Sequence, residues 1–229
     1  MEFCYIRFIL GVLLMKRKVI SVISALVLII VSVFPGLSAS AAVWNGSTSV
    51  PTLSGGVYQI GTAEQLAWFA NAVNSGSQSI KGKLTADIQL NASGSTANKW
   101  TPIGTESNPF KGTFDGDGHT VSGVYVDTTA DYVGFFGNVV IPHEENPDGE
   151  LPDTVTAEYI MQISTVSISN LKITDATVKG GYYAGGIVGY GENLGISNCS
   201  FSGTVVSSGN SVGGIVGWSY YNTVISQCS

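Results

Sequence analysis

Asp115, Asp117 and His119 fall within five residues. At that spacing two carboxylates and an imidazole could hold a cation or exchange a proton. Asp115-Gly-Asp-Gly118 is also an ordinary tight turn, and the turn is the preferred reading. A calcium loop needs further ligands at fixed offsets and a late Glu, and neither follows. His143-Glu144 gives half of a His-Glu-x-x-His zinc motif, but position 147 is Pro and the second His is missing. Asp127, Asp131 and Asp175 are scattered along the chain, so no carboxylate pair for glycoside hydrolysis can be assigned. No catalytic residue, cofactor or metal site is expected, and the chain is read as a non-enzyme.

Aromatic residues gather at Tyr182, Tyr183, Tyr190, Trp218, Tyr220 and Tyr221. Exposed rings on a rigid frame can stack on sugars, which makes Tyr182, Tyr183, Tyr220 and Tyr221 candidate glycan-stacking residues. The preferred reading is plainer: Tyr190 and Trp218 stack on each other between successive repeats. Of three cysteines, Cys4 lies near the N-terminus, and Cys199 and Cys228 make no disulfide framework. As neighbours on adjacent rungs they could form a disulfide, but with a poor dihedral; buried free thiols are the preferred reading.

These residues sit on a repeat. Tyr183-Ala-Gly-Gly-Ile-Val-Gly-Tyr190 recurs 28 residues later as Ser211-Val-Gly-Gly-Ile-Val-Gly-Trp218. Ile168, Leu171, Ile173 and Val178 match Ile196, Cys199, Phe201 and Val206 at the same offset. The next copy, Ile225-Ser-Gln-Cys228, slips to 29, a one-residue change that a turn tolerates. Each repeat offers about three short strands, and stacking them places every strand ~4.8 Å from its copy. Ile187 then lies over Ile215, and Leu171, Cys199 and Cys228 form a column. Asn170, Asn198 and Gln227 form an amide ladder at a turn. Gly185-Gly186 and Gly213-Gly214 make corners too tight for a Cβ. The expected fold is all-β, a right-handed parallel β-helix with coils of about 28 residues. A propeller is the rival, but its blades of ~40–50 residues exceed this period.

Ahead of the repeats, Thr62-Ala-Glu-Gln65 is a capping-box signature. Leu66, Phe69, Ala70 and Val73 follow at helical spacing, and Asn74-Ser-Gly76 ends the helix. This one helix is expected to cap the first rung. Val57–Ile60 reads as a strand, and 43–51 as a poorly ordered lead-in. Val140 to Gln162 holds three prolines, six acids and no Lys or Arg, and is expected as a solvated loop inserted on one face.

The N-terminus reads as a leader. Lys16-Arg-Lys18 precedes an apolar run from Val19 to Val33, and Ala39-Ser-Ala41 is a small-x-small cleavage site. An uncleaved anchor is the alternative, and Met1 or Met15 the start. Beyond Ala41 there are six Lys, no Arg and 15 acids, a formal charge of −9. That balance excludes nucleic acid and a polybasic lipid-docking surface. With 29 Gly and 11% charged residues, a helical bundle is excluded as well.

Gly186-Ile-Val-Gly189 and Gly214-Ile-Val-Gly217, with Thr62-Ala-Glu-Gln-Leu-Ala-Trp-Phe-Ala70, Asp87-Ile-Gln-Leu90, Trp100-Thr-Pro-Ile-Gly104 and Phe110-Lys-Gly-Thr-Phe-Asp-Gly-Asp-Gly-His-Thr-Val121, resemble the GLUG-motif proteins of bacteria. The resemblance covers most of 57–229. It implies a secreted or wall-attached, adhesin-like protein with the repeats as a β-helical region. Some relatives carry such repeats beside an IgA-specific metallo-endopeptidase, whose His-Glu-x-x-His motif has no match here. The chain stops mid-repeat at Ser229, so a fragment of something longer is expected.

The organisation expected is therefore a signal peptide over 1–41, a lead-in strand and capping helix over 42–82, and repeats over 83–229 with the acidic insertion at 140–162. The expected function is a non-catalytic secreted or surface module for adhesion or display, with an extracellular glycan or a host or cell-surface protein as partner. It would not insert in a membrane after signal cleavage. The alternatives are a carbohydrate-binding or carbohydrate-processing β-helix, and a passenger module of a larger surface peptidase.

Overall fold

The structure, a computed structural model, describes residues 43–141 and 166–229. All described residues belong to one compact unit, Ala42–Ser229. The expected leader, His143-Glu144 and residues 142–162 of the expected insertion lie outside the described residues. Val140 belongs to strand Phe136–Val140. Strand Lys81–Leu84 crosses the division expected between 82 and 83.

Among the described residues there are 18 strands and one α-helix, so the fold is all-β, and its sheets are mostly parallel. The largest sheet runs Thr52–Ser54, Val57–Ile60, Lys81–Leu84, Thr113–Asp115, Val166–Ser169, Leu194–Ser197, Val224–Ser226. Only its first pair is antiparallel. A second sheet orders Ser200–Ser207, Lys172–Gly180, Thr120–Ser122 and Ile88–Gln89, with Tyr125–Asp127 also pairing Lys172–Gly180. Two three-stranded sheets complete the fold: Ser211–Gly213, Tyr183–Gly185, Tyr132–Val133; and Val216–Tyr220, Val188–Glu192, Phe136–Val140.

The repeat register governs the pairing. Ile168 faces Ile196, Ala184 faces Val212, and Tyr190 faces Trp218, each 28 residues on. Ile196 faces Ile225 at 29. Branched and aromatic residues suit these half-buried pleats, and alternation sends Ile168, Ile173, Val178 and Ala184 into the core. One expected match is corrected: Val178 pairs with Val205, not Val206. Asp175 bulges out at φ +50°, which adds a residue to its strand and shortens the offset to 27 between Ala176 and Gly180. Val206 is consequently exposed. The offset is back to 28 at Tyr183, so the turn between Ser207 and Ser211 absorbs the missing residue.

The lead-in is also corrected. Trp44 is buried and meets Trp100 edge-on at 6.4 Å. Its carbonyl accepts from the Asn98 amide. Thr52–Ser54 folds back on Val57–Ile60 through Gly55 and Gly56, at φ +57° and +80°. Two positive-φ residues make the hairpin turn whose twist matches its strands.

The helix spans Ala63–Asn74. Thr62 Oγ1 accepts from the Gln65 amide at 3.3 Å, and Gln65 Oε1 accepts from the Gly61 amide at 2.7 Å. The reciprocal cap therefore reaches one residue further back than the usual box. The helix is the crossover between parallel strands Val57–Ile60 and Lys81–Leu84. Its apolar face buries Leu66, Phe69, Ala70 and Val73. Phe69 meets Phe114 and Phe110 at 5.7 and 6.0 Å, so the helix closes the aromatic end of the core. The strand edge beside it is blunted by the antiparallel Thr52–Ser54 rather than by the helix.

Candidate functional site

The acidic turn is a structural element. The Asp117 amide donates to Asp115 Oδ1 at 2.9 Å, and the His119 amide donates to the Gly116 carbonyl at 2.8 Å. Asp117 pairs with Lys83 at 3.1 Å, a surface contact worth ~0–1 kcal/mol. His119 Nδ1 lies 3.1 Å from Asp87 Oδ1, which also accepts the Thr120 amide. That amide is the largest influence and holds the Asp87 carboxyl below its ordinary pKa; burial opposes it, and the hydrogen bond and charge of His119 add to the lowering. The three residues are thus divided between a turn, the Lys83–Asp117 ion pair and a histidine–carboxylate contact.

Two rungs of the expected amide ladder, Asn170 and Asn198, are bonded, and the ladder ends on a carboxylate; Gln227 shares their backbone conformation but its side chain does not join them. Asn198 Nδ2 donates to Asn170 Oδ1 at 2.8 Å, and Asn170 Nδ2 to Asp115 Oδ1 at 2.9 Å. Asn170, Asn198 and Gln227 all hold φ between +52° and +54°, a region Asn visits because its side chain bonds locally. A second ladder was not foreseen. Asn222 donates to buried Asn193, which donates to the Ile141 carbonyl at 2.7 Å. The 29-residue spacing of Asn193 and Asn222 equals that of Asn198 and Gln227, and was the available signal.

The Gly pairs form corners by close approach. A Cβ at Gly185 would lie 1.9 Å from the Val188 carbonyl oxygen, and one at Gly186 2.1 Å from that of Gly214. Gly213 is equally blocked by Val216. Gly214 departs from expectation: a Cβ there meets nothing within 4 Å.

Tyr182 and Tyr183 join a cluster with Tyr132, Tyr190 and Trp218. Tyr132 and Tyr183 stack at 5.5 Å and 17°, one above the other as register partners. Tyr190 sits edge-on to both at 5.7 Å, and Trp218 meets Tyr183 at 6.0 Å. The backbones of Tyr190 and Trp218 pair as expected, but Tyr183 is the ring that links them. Burial, then the Glu192 charge, raises the Tyr190 pKa. Tyr220 and Tyr221 lie against each other, ring centres 4.1 Å apart.

Sequence reasoning missed a cleft of about 620 Å³ between 99–106 and 126–133. Its floor is Trp100, buried and stacked on Phe135 at 5.2 Å and 7°. Asn74, the last helical residue, pins one wall: its amide donates to the Pro102 carbonyl at 3.0 Å and its oxygen accepts from Gly104 at 2.8 Å. The other wall is tied to the next repeat by the Gly181 amide on the Ala130 carbonyl and the Tyr183 amide on that of Asp131. Lys99 donates to the Asp127 carbonyl at 3.1 Å. Asp127 Oδ2 accepts from the Tyr125 hydroxyl at 2.9 Å and faces Lys179 at 3.8 Å. Burial raises the Tyr132 pKa, with the Glu106 charge next, so its hydroxyl stays a donor. No single stretch of sequence announces the cleft, because the 19 residues from 107 to 125 lie between its walls.

Cys199 and Cys228 are free thiols, the first buried. Burial pushes Cys199 up to about 11. Each donates to the carbonyl two residues back at 3.2 Å. No helix among the described residues is long and apolar enough to cross a membrane.

Residues 180–206 match the family described as the GLUG motif. No curated protein matches the sequence. A solved chain described as a "putative immunoglobulin A1 protease from Bacteroides ovatus" aligns at 17% identity and TM-score 0.36, over 80% of this chain and 76% of that one. A likeness this weak bears on neither fold nor activity. The matched span opens at Gly180, closes at Val206 and contains the Gly185-Gly186 corner with Ile187-Val188-Gly189: the chain carries the GLUG motif.

Proposed function

We propose that the chain is a non-catalytic, secreted or surface-displayed module for adhesion or display, built as a right-handed parallel β-helix. The carrying observation is that the conspicuous polar residues, Asp115, Asp117, His119, Asn170 and Asn198, are bonded to one another or to neighbouring strands. They hold rungs together. The 28-residue parallel register supports the coil, and right-handed crossovers are the rule for parallel strands. The basic and apolar N-terminal run supports export, as does the resemblance to secreted GLUG-motif proteins. The partner is an extracellular glycan or a host or cell-surface protein. A rigid stack of strands suits display, because its surface positions are fixed without a large core.

The test is location and attachment. Antibody labelling of intact producing cells, together with fractionation, should find the protein on the surface or in the medium. Beads coated with it should attach to a target cell surface. Retention in the cytoplasm would overturn the reading.

A further inference from the structure

We propose that the cleft between 99–106 and 126–133 binds a neutral glycan. The inference rests on the reading of the chain as an extracellular module, and it names the ligand class and its place.

The cleft volume of about 620 Å³ falls in the range of pockets that hold small organic ligands. Both walls are fixed before any ligand arrives, one by Asn74 and the other by Gly181 and Tyr183. A preformed site loses little to ordering on binding. Its lining combines an aromatic wall, Tyr132, with the threonine hydroxyls at 101 and 129 and the carboxylates of Glu106 and Asp131. Asp131 Oδ1 accepts from the Tyr182 amide at 3.2 Å, which leaves Oδ2 as an acceptor. Carboxylates that take hydrogen bonds from hydroxyls, beside an aromatic surface against which C–H faces can pack, are the complement of a sugar.

Charge selects among sugars. Asp127 is paired with Lys179, which leaves Glu106 and Asp131 against a single cation, Lys99, in the lining. Sialylated, sulfated or uronate-rich chains would meet net repulsion there. Among the described residues no group of three or more His, Cys, Asp or Glu is placed to hold a metal ion. A concave cleft also suits a small polyol better than a protein surface.

The cleft is a place to look beside the aromatic strip, where Tyr182, Tyr220 and Tyr221 are exposed. Tyr132 and Tyr183 each give one ring face to the other, so a sugar in the cleft would pack on the second face of Tyr132.

The purified full chain is titrated by calorimetry with oligomers of glucose, galactose, mannose and N-acetylglucosamine, and with sialylated and uronate oligosaccharides. At least one neutral oligomer should bind, with no binding of the acidic ones. Glu106→Ala, on the exposed rim, and Tyr132→Ala should each weaken it by roughly tenfold. Tyr220→Ala should leave it unchanged. If Tyr132→Ala fails to fold by circular dichroism, Glu106→Ala alone decides. The proposal is overturned if no neutral oligomer binds or if acidic oligomers are preferred. It is equally overturned if Glu106→Ala retains affinity, including the case where Tyr220→Ala removes it. Cell-surface labelling fails or succeeds independently of this titration, so a false location and a false site are told apart.

Discussion

The Asn198 side chain donates to Asn170 Oδ1 at 2.8 Å, 28 residues back along the chain, and the two backbones hold φ of +52° and +54°. Conformation and hydrogen bond are coupled, because only a residue tolerating the left-handed region can present its amide here. Asn170→Ala removes bonds to both Asp115 and Asn198 and leaves at positive φ a residue without the local side-chain bonding that makes Asn tolerate that region. A loss of about 2–4 kcal/mol is expected. Asn170→Gly keeps the conformation and should lose about 1–2 kcal/mol. Urea unfolding of both variants separates the two contributions; equal losses would reject a conformational share.

The corner glycines predict a contrast between equivalent positions. Gly186→Ala drives a Cβ to 2.1 Å from the Gly214 oxygen and 2.5 Å from the Phe201 ring, and should cost several kcal/mol, on the order of 3. Gly214→Ala meets nothing within 4 Å and should stay within about 0.5 kcal/mol of the parent. Thermal melts of the pair test this, and a large drop at Gly214 would count against it.

Cys199 carries a pH signature. Its thiol is raised from 9.0 to about 11 by burial, so the folded state keeps a proton that the unfolded state releases. The associated stability is fully present below pH 9 and is lost as pH climbs toward 11. A difference on the order of 2 kcal/mol across that window is expected. Denaturation of Cys199→Ala over the same range should lack that component. Identical pH slopes in the two proteins would refute it.

Asp87 works in the opposite direction. Its carboxyl lies below its ordinary 3.8, chiefly through the Thr120 amide and also through His119. Its contribution is present above pH 3.8 and disappears as pH falls through the lower folded value. The side chain is 74% exposed, so the effect is small and salt-sensitive. NMR titration of the Asp87 carboxyl should give a midpoint below 3.8, shifting upward in His119→Ala. An unshifted midpoint in the parent protein would contradict the assignment.

Much of the register was legible because residue character was preserved at a fixed interval: Ile168 over Ile196, and Ala184-Gly185 over Val212-Gly213. Asp175 escaped because a bulge changes spacing without changing residue type, so Val178 matched Val206 on paper while Val205 faced it in space. The hairpin had a local signal in Gly55-Gly56 that the polar lead-in obscured. Trp44 offered none, since its burial depends on Trp100 and Asn98, more than 50 residues away. The cleft was illegible for a similar reason: Glu106 and Tyr132 meet only because helix residue Asn74 and the repeat at 181–183 hold their segments in place.

Strand Thr52–Ser54 has one more consequence. It runs against the other members of its sheet, and its three exposed residues are the edge on that side. A strand joining that edge would find few unpaired N–H and C=O groups. Added parallel to Thr52–Ser54 it would run against the rest of the sheet; only an antiparallel addition would restore the sense of the others.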